Sequence, residues 1–484
     1  MEINTEYKTY IGFNARNTSQ KKSIKGSVLT LMLIFLFTSS AFSQKTIEPD
    51  TLKTYNLGEV YVTGEKNIIE KVSTVENISR SEIEGLDAFT LDESFSLTSG
   101  MYLRRDIRSE PLINLRGFDQ RQIMIYRDGV PVSHQFNGII DISNFSTSST
   151  GKIAVAKSMP SLIYGSNTMG GAINFISRRP QDDLSFRADL KFREAGYGIQ
   201  AGAGGTAENF YWIVNGSYQK SNTYRLPSDI PANLHEDGGF RDNSSFENRN
   251  IFVKAGAMLN NTDEVAVSIN YIDNSETLPA NIYSDFARYW RFPEWKSMIY
   301  NLMGRFSVSD PLTIKTNVYF MDIQNTLSSY DDSTYSTQTR RYAFNSTQTD
   351  RTLGANFSAA YDWGTIEPTV FSLNYKRDSH EEAGTPDFEA STVSVSIEQE
   401  VAATDKLGFA GGASVDFLSG DYGNFSEADN PDSPVNAQFG AFYEVNNDLR
   451  LYAHAARKSR LPTMKELFAE TALGYLPNPE LNAE

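Results

Sequence analysis

The chain has 484 residues, enough for two or three ordinary domains or for one large barrel. Its formal charge of −16 excludes a nucleic-acid surface, which needs clustered Lys and Arg, and the absence of Cys leaves the redox compartment open. Beyond residue 40 no apolar run approaches the roughly 20 residues that a membrane helix needs, so a helical membrane protein is excluded as well.

In chain order, Lys21, Lys22 and Lys25 precede an apolar run from Val28 to Phe37, and the small residues Ala41 and Ser43 follow just before Gln44. This reads as a secretory signal peptide over residues 1–43, with an apolar core too short to span a bilayer. Residues 44–64 form a polar tail in which Glu59, Val60, Tyr61, Val62 and Thr63 have strand-forming character, suited to adding a strand to a partner's sheet edge. Residues 65–180 mix short apolar runs with Gly, Asp and Asn turns, the texture of a compact α+β globule. Within them, Leu115-Arg116-Gly117-Phe118 ends a strand at a bend that leaves Arg116 able to pair with an acidic group, and Asp128-Gly129 is a turn signal between apolar runs. Gly165 and Gly170 have the spacing of a phosphate loop, but Gly171 stands where that loop needs Lys, so the phosphate reading fails.

From Leu184 the texture changes to strict alternation. Leu184, Phe186, Ala188, Leu190 and Phe192 interleave with Ser185, Arg187, Asp189, Lys191 and Arg193, and the same period of two recurs as far as Leu449–Ala455. A soluble β-sandwich or propeller would alternate too. The connections favour a transmembrane barrel, because tight turns (Ala207–Asn209, Asn260–Asp263, Ser309–Pro311) take turns with long loops (Asn222–Glu247, Asn274–Ser297, Gln324–Asp350). About thirteen strands fit between Leu184 and Arg457, each near the 9 to 11 residues that a tilted strand needs. Closed single-chain barrels have even strand numbers, so the barrel over 181–484 is expected to be incomplete, with C-terminal strands missing.

Three phrases carry a family resemblance: SFSLTSGMYLRR at 94–105, INLRGFDQRQIMIYRDGVPV at 113–132 and IAVAKSMPSLIYGSNTMGGAINFISRRP at 153–180. In order and spacing they resemble the plug domain of TonB-dependent outer-membrane receptors. LGEVYVTG at 57–64 is similar to the TonB box that precedes such plugs, and SRLPTMKELF at 459–468 with NPELNAE at 478–484 resembles a barrel motif that the family continues into further strands. The resemblance implies an antiparallel transmembrane β-barrel of about 22 strands when complete, with an α+β plug domain at 65–180 inside it. It implies active import across the outer membrane of a Gram-negative bacterium, with TonB as periplasmic partner, outer-membrane lipid around the barrel and no cofactor. Arg116 would be a plug–barrel contact. Lys157-Ser158 stands where the family commonly has Arg-Gly, which puts a second plug–barrel ion pair in doubt.

Catalysis finds no constellation: the four His are scattered, and no metal or nucleophile motif is present. Ligand-binding candidates fall in two places. Ser133, His134, Gln135 and Phe136 would face the vestibule from the plug apex. Tyr283, Arg288, Tyr289, Trp290, Arg291 and Trp295 combine cations with aromatic faces, suiting a planar anionic iron chelate, although an aromatic girdle at the lipid headgroups reads equally from the same residues. A ferric siderophore is therefore the expected ligand, with haem or cobalamin in the same family, or a passive porin or adhesin barrel, as alternatives. A surface hydrolase carried on a barrel would need its catalytic groups beyond these residues.

Overall fold

The computed structural model describes residues 75–484 except 107, 109, 158–159, 231, 234, 285, 365, 386, 423–424, 430–432, 447 and 470–475, without side chains for 421–432. The signal peptide and the TonB-box-like Glu59–Thr63 lie outside the described residues.

The first part is a small mixed sheet ordered β1-β6-β7-β4-β5, built from β1 (Val75–Ser79), β4 (Ile123–Arg127), β5 (Val130–Pro131), β6 (Thr150–Ala156) and β7 (Gly171–Ser177). β4 and β7 run parallel and the remaining pairs antiparallel. A separate hairpin joins β2 (Met101–Arg105) to β3 (Pro111–Leu115). Every residue of β4 and β7 is buried, because both faces of this sheet are covered; that is why Ile123–Arg127 and Gly171–Ser177 do not alternate. Ile113, Leu115, Ile125, Ile153, Val155, Ile173 and Phe175 form one core together with Ile272, Ile299, Tyr319 and Met321 of the following sheet. Asp128 and Gly129 both take positive φ, 48° and 79°, as a two-residue hairpin turn requires. Helix α1 (Arg80–Gly85) starts at a capping box in which Ser79 and Glu82 satisfy each other's backbone N–H groups.

The second part is a meander of thirteen strands, with a short extra strand, β19 (Phe425–Asp429), paired to one of them. In order these are β8 (Ser185–Arg193), β9 (Gly196–Ala207), β10 (Phe210–Ser221), β11 (Phe246–Met258), β12 (Glu264–Leu278), β13 (Tyr289–Ser309) and β14 (Leu312–Tyr330). They continue with β15 (Phe344–Tyr361), β16 (Thr369–Glu382), β17 (Phe388–Ala402), β18 (Leu407–Tyr422), β20 (Val435–Glu444) and β21 (Arg450–Arg457). Each pairs antiparallel with its neighbours. Its polarity is inverted relative to a soluble protein. Ile251, Val253, Leu302, Leu373, Phe417 and Phe439 point outward and are exposed, whereas Asn250, Ser268, Asn270, Asn301, Thr352 and Ser396 point inward and are buried, Asn250 and Asn301 against the first part.

Two expectations need correction. Several strands far exceed 9 to 11 residues, and the long loops are shorter than alternation suggested: the β12–β13 loop is 279–288 and the β14–β15 loop 331–343. Above the apolar zone the ladder continues with polar side chains, such as the Thr326–Thr347 hydroxyl pair at 2.9 Å, so hydrogen bonding persists where the alternation fades. The β8–β9 connection is also tight although it lies on the rim of the longer loops. The segment after β21 forms a short helix, α2 (Met464–Phe468), capped by Thr463 and Glu466, with Met464, Leu467 and Phe468 buried.

Candidate functional site

The apical loop of the first part, residues 133–138, follows β5. Its own backbone closes it: the His134 N–H donates to the Ile139 carbonyl at 3.0 Å and the Gly138 N–H to the His134 carbonyl at 2.8 Å. Gly138 has φ +72°, and a Cβ there would stand 3.0 Å from Thr463 Cγ2, so both backbone shape and space call for glycine.

Side chains of the wall hold this loop. Trp295 Nε1 donates to His134 Nε2 at 3.2 Å, and because an indole N–H only donates, His134 must carry its proton on Nδ1. That Nδ1 lies 2.9 Å from Asp350 Oδ2, while the other carboxylate oxygen is 2.6 Å from His380 Nδ1. Phe136 stacks on the His380 ring at 4.2 Å and 10°, and lies 5.9 Å from Phe388. From the opposite side the Lys465 N–H of α2 donates to the Phe136 carbonyl at 2.8 Å. His134 is thus engaged at both nitrogens. Ser133 and Gln135 are tied together, the Gln135 amide donating to the Ser133 carbonyl at 2.8 Å.

The second set of candidates separates. Trp295 turns inward to His134, whereas Tyr283 is 85% exposed on the 279–288 loop. Tyr289, Trp290 and Arg291 lie on strand β13, not on a loop. Arg291 sits 4.4 Å from the Tyr335 ring and 5.6 Å from Tyr330, and its Nε donates to Asn243 Oδ1 at 3.1 Å. Tyr289 meets Tyr335 edge-on and its hydroxyl lies 3.3 Å from His235 Nδ1; Arg288 covers the Trp290 ring at 4.7 Å. His235, Asn243, Tyr330 and Tyr335 therefore complete a cluster that sequence reasoning did not find, because two separate loops and the end of β14 bring them together.

Arg116 is exposed at φ +52° in the bend after β3, and among the described residues its guanidinium has no ion pair with the wall. Lys157 pairs within the first part, with the Glu76 carboxylate and the Ser99 carbonyl. The wall is reached by other groups. Arg179 pairs with Glu264 at 2.9 Å, and Glu398 accepts from the Leu162 N–H at 2.7 Å and from the Ser161 hydroxyl. Asn301 and Asn317 donate to the Asp128 carbonyl, Asn356 to Gly129 and Asn374 to Ile163. A signal for these was present: asparagine is depleted in strands, yet it recurs at inward positions of this sheet.

Residues 67–172 match the family model described as the TonB-dependent Receptor Plug Domain. The vitamin B12 transporter BtuB of Vibrio cholerae is 26% identical over 116 residues, covering 24% of this chain and 19% of that protein. Among solved structures, the copper transporter OprC superposes with a TM-score of 0.67 at 17% identity, covering 79% of this chain and 62% of that one. The FrpB iron transporter of Neisseria meningitidis (F3-3 variant) gives 0.68 at 14%, covering 82% and 67%. The ferric-catecholate import receptor Fiu of E. coli K12 in its open form gives 0.63 at 13%, covering 81% and 70%. The chain spans about a fifth of the length of the curated relatives that it matches, at 19%, and at these identities the structural likeness speaks for the fold. Residues 67–172 therefore carry a plug domain of the TonB-dependent receptor type, which coincides with the small inner sheet, and the wall around it has the barrel fold of these solved structures.

Proposed function

We propose that the protein resides in the outer membrane and imports a scarce solute by TonB-dependent active transport, a ferric siderophore being the leading solute class. The observation that carries this reading is the plug itself. It packs against the inner face of the wall and, beyond the chain connection at 178–184, is held there by non-covalent contacts, so a solute taking this route must displace part of the plug. Ligand contacts are assigned to Arg288, Tyr289, Trp290 and Arg291 with Tyr283 above them, since cations on aromatic faces suit a compact anionic chelate. The FrpB iron transporter and the ferric-catecholate import receptor Fiu among the structural neighbours agree with it. Cobalamin is the second reading, favoured by the vitamin B12 transporter among the sequence relatives.

In the periplasm, Glu59–Thr63 would add a strand to TonB. Proline at position 62 removes a backbone donor, so Val62→Pro is expected to abolish uptake of radiolabelled ferric chelate by intact cells while surface binding survives, as a proton uncoupler should also do. The assay runs a siderophore panel with haemin and cyanocobalamin alongside. Uptake that resists both the uncoupler and Val62→Pro would establish a passive barrel, and uptake of cyanocobalamin or haemin alone would replace the siderophore.

A further inference from the structure

Asp350 is the only carboxylate among the described residues that joins two histidines, one from the plug and one from the wall. Its two oxygens face His134 Nδ1 at 2.9 Å and His380 Nδ1 at 2.6 Å, and its side chain is 2% exposed. The plug enters this arrangement at two side chains of the loop two residues apart, His134 through Asp350 and Trp295, and Phe136 through its stack on His380. Loss of the Asp350 carboxylate would therefore leave His134 held by Trp295 alone and take the orienting partner from the imidazole on which Phe136 stacks.

The assembly is also not fully satisfied. His380 is completely buried, yet among the described residues its Nε2 has no hydrogen-bond partner and stands 4.0 Å from a Glu382 oxygen. A buried orphan nitrogen opposes the contacts that bury it, because opening would let water reach it. The contacts and this opposing group together describe a fastening that holds and can still be undone.

We propose that Asp350 is the latch residue of the plug: through His134 and His380 it pins the apical loop 133–138 to the barrel wall and sets how easily an arriving solute displaces that loop. The role is one of positioning. It rests on the reading that the loop faces incoming solute, and it makes the contact of a solute with Ser133 or Gln135 compete with the latch instead of adding to it.

The test is hydrogen exchange on the purified receptor in detergent without solute, following the amides of His134, Gly138 and Lys465, all of which donate within or onto the loop. Asp350→Asn keeps the volume but turns one acceptor into a donor facing an N–H, and Trp295→Phe removes the donor to His134 together with part of the indole's packing in the core. Exchange of the loop is expected to rise about tenfold in Asp350→Asn and by a smaller factor in Trp295→Phe, the scale of one lost charge-assisted and one lost neutral hydrogen bond. The amides of Ile153, Val155 and Ile173 in the plug sheet should keep their wild-type rates. Should Asp350→Asn fail to fold, Trp295→Phe alone decides. Unchanged loop exchange in the variants, or a rise shared equally by the plug sheet, overturns the latch. Neither solute nor TonB enters the measurement, so this failure leaves the transport reading standing, and absent uptake by wild-type cells would leave the latch intact.

Discussion

At the scale of single residues, neutral amides meeting backbone carbonyls recur between plug and wall, beside ion pairs such as those of Arg179 with Glu264 and Arg193 with Glu93. Asn248 and Asn250 both reach the Asn144 carbonyl, and Asn301 and Asn317 both reach that of Asp128. Turns leave such carbonyls unpaired, and the wall supplies the donors that water would otherwise provide. Each bond contributes only about 0.5–1.5 kcal/mol net, so the plug can be held by many of them and still be moved. Glu398 is a stronger point of attachment, accepting the Leu162 N–H at 2.7 Å, the Ser161 hydroxyl and the Gln438 amide at 2.6 Å. Glu398→Gln replaces an acceptor by an N–H₂ facing donors, and is expected to destabilise the plug–wall contact by about 1–3 kcal/mol. Hydrogen exchange at Leu162 and Ile163 would register this as faster opening, whereas wild-type protection there would show that Glu398 is not what holds the 162–164 turn.

At the scale of elements, the β2–β3 hairpin carries an ionisable group in an unfavourable place. Burial pushes the Glu110 carboxyl up to about 8, with Asp141 and Asp106 adding to the rise and Arg108 opposing it. A carboxyl whose pKa in the folded protein exceeds its ordinary value of 4.5 favours folding while protonated. That contribution is complete below about pH 4.5 and is lost as pH rises toward 8. The hairpin amides are therefore expected to lose protection between these limits after correction for intrinsic exchange, and Glu110→Gln should flatten the profile; an equally steep profile in the variant would assign the effect elsewhere. How legible the elements were follows from their physics. The alternation of Leu184–Arg193 and its successors reported strands correctly wherever one face meets an apolar surround, and Asp128-Gly129 reported its hairpin. The far ends of β12 to β15 were hidden because polar and aromatic residues mix there without a period of two: Leu278, Phe292 and Leu327 cluster with Trp290, while Thr326 pairs with Thr347. The cluster of Arg291, Tyr335, Asn243 and His235, like the bridge from His134 to His380, was hidden for a different reason: these are contacts between elements far apart in sequence, and local pattern carries no record of register between them.

At the scale of the whole molecule, the distribution of polarity is that of a barrel turned inside out around a second body. Across neighbouring strands, Leu302 faces Val318, Val318 faces Ala355, Ala355 faces Tyr375 and Tyr375 faces Val393, making an outward apolar belt, while Asn301 one residue away is buried and bonded to the plug. In water such a belt would be an aggregation surface; in a bilayer it is the face that the lipid requires. This argues for a bilayer around the wall independently of any export signal. It also separates two adjacent positions by mechanism. Leu302→Arg would place a charge against lipid and is expected to cost about 2–4 kcal/mol if the belt lies near the midplane. Asn301→Ala would remove one amide–carbonyl bond at about 1 kcal/mol, a cost borne by plug attachment and not by the barrel. Urea titration of the receptor in lipid vesicles, followed through the heat-modifiable band of the barrel, should show a clear loss of stability for Leu302→Arg and almost none for Asn301→Ala. Equal effects at the two positions, or an arginine tolerated at 302, would mean that this belt does not face lipid, and the membrane assignment would have to be withdrawn along with the transport that depends on it.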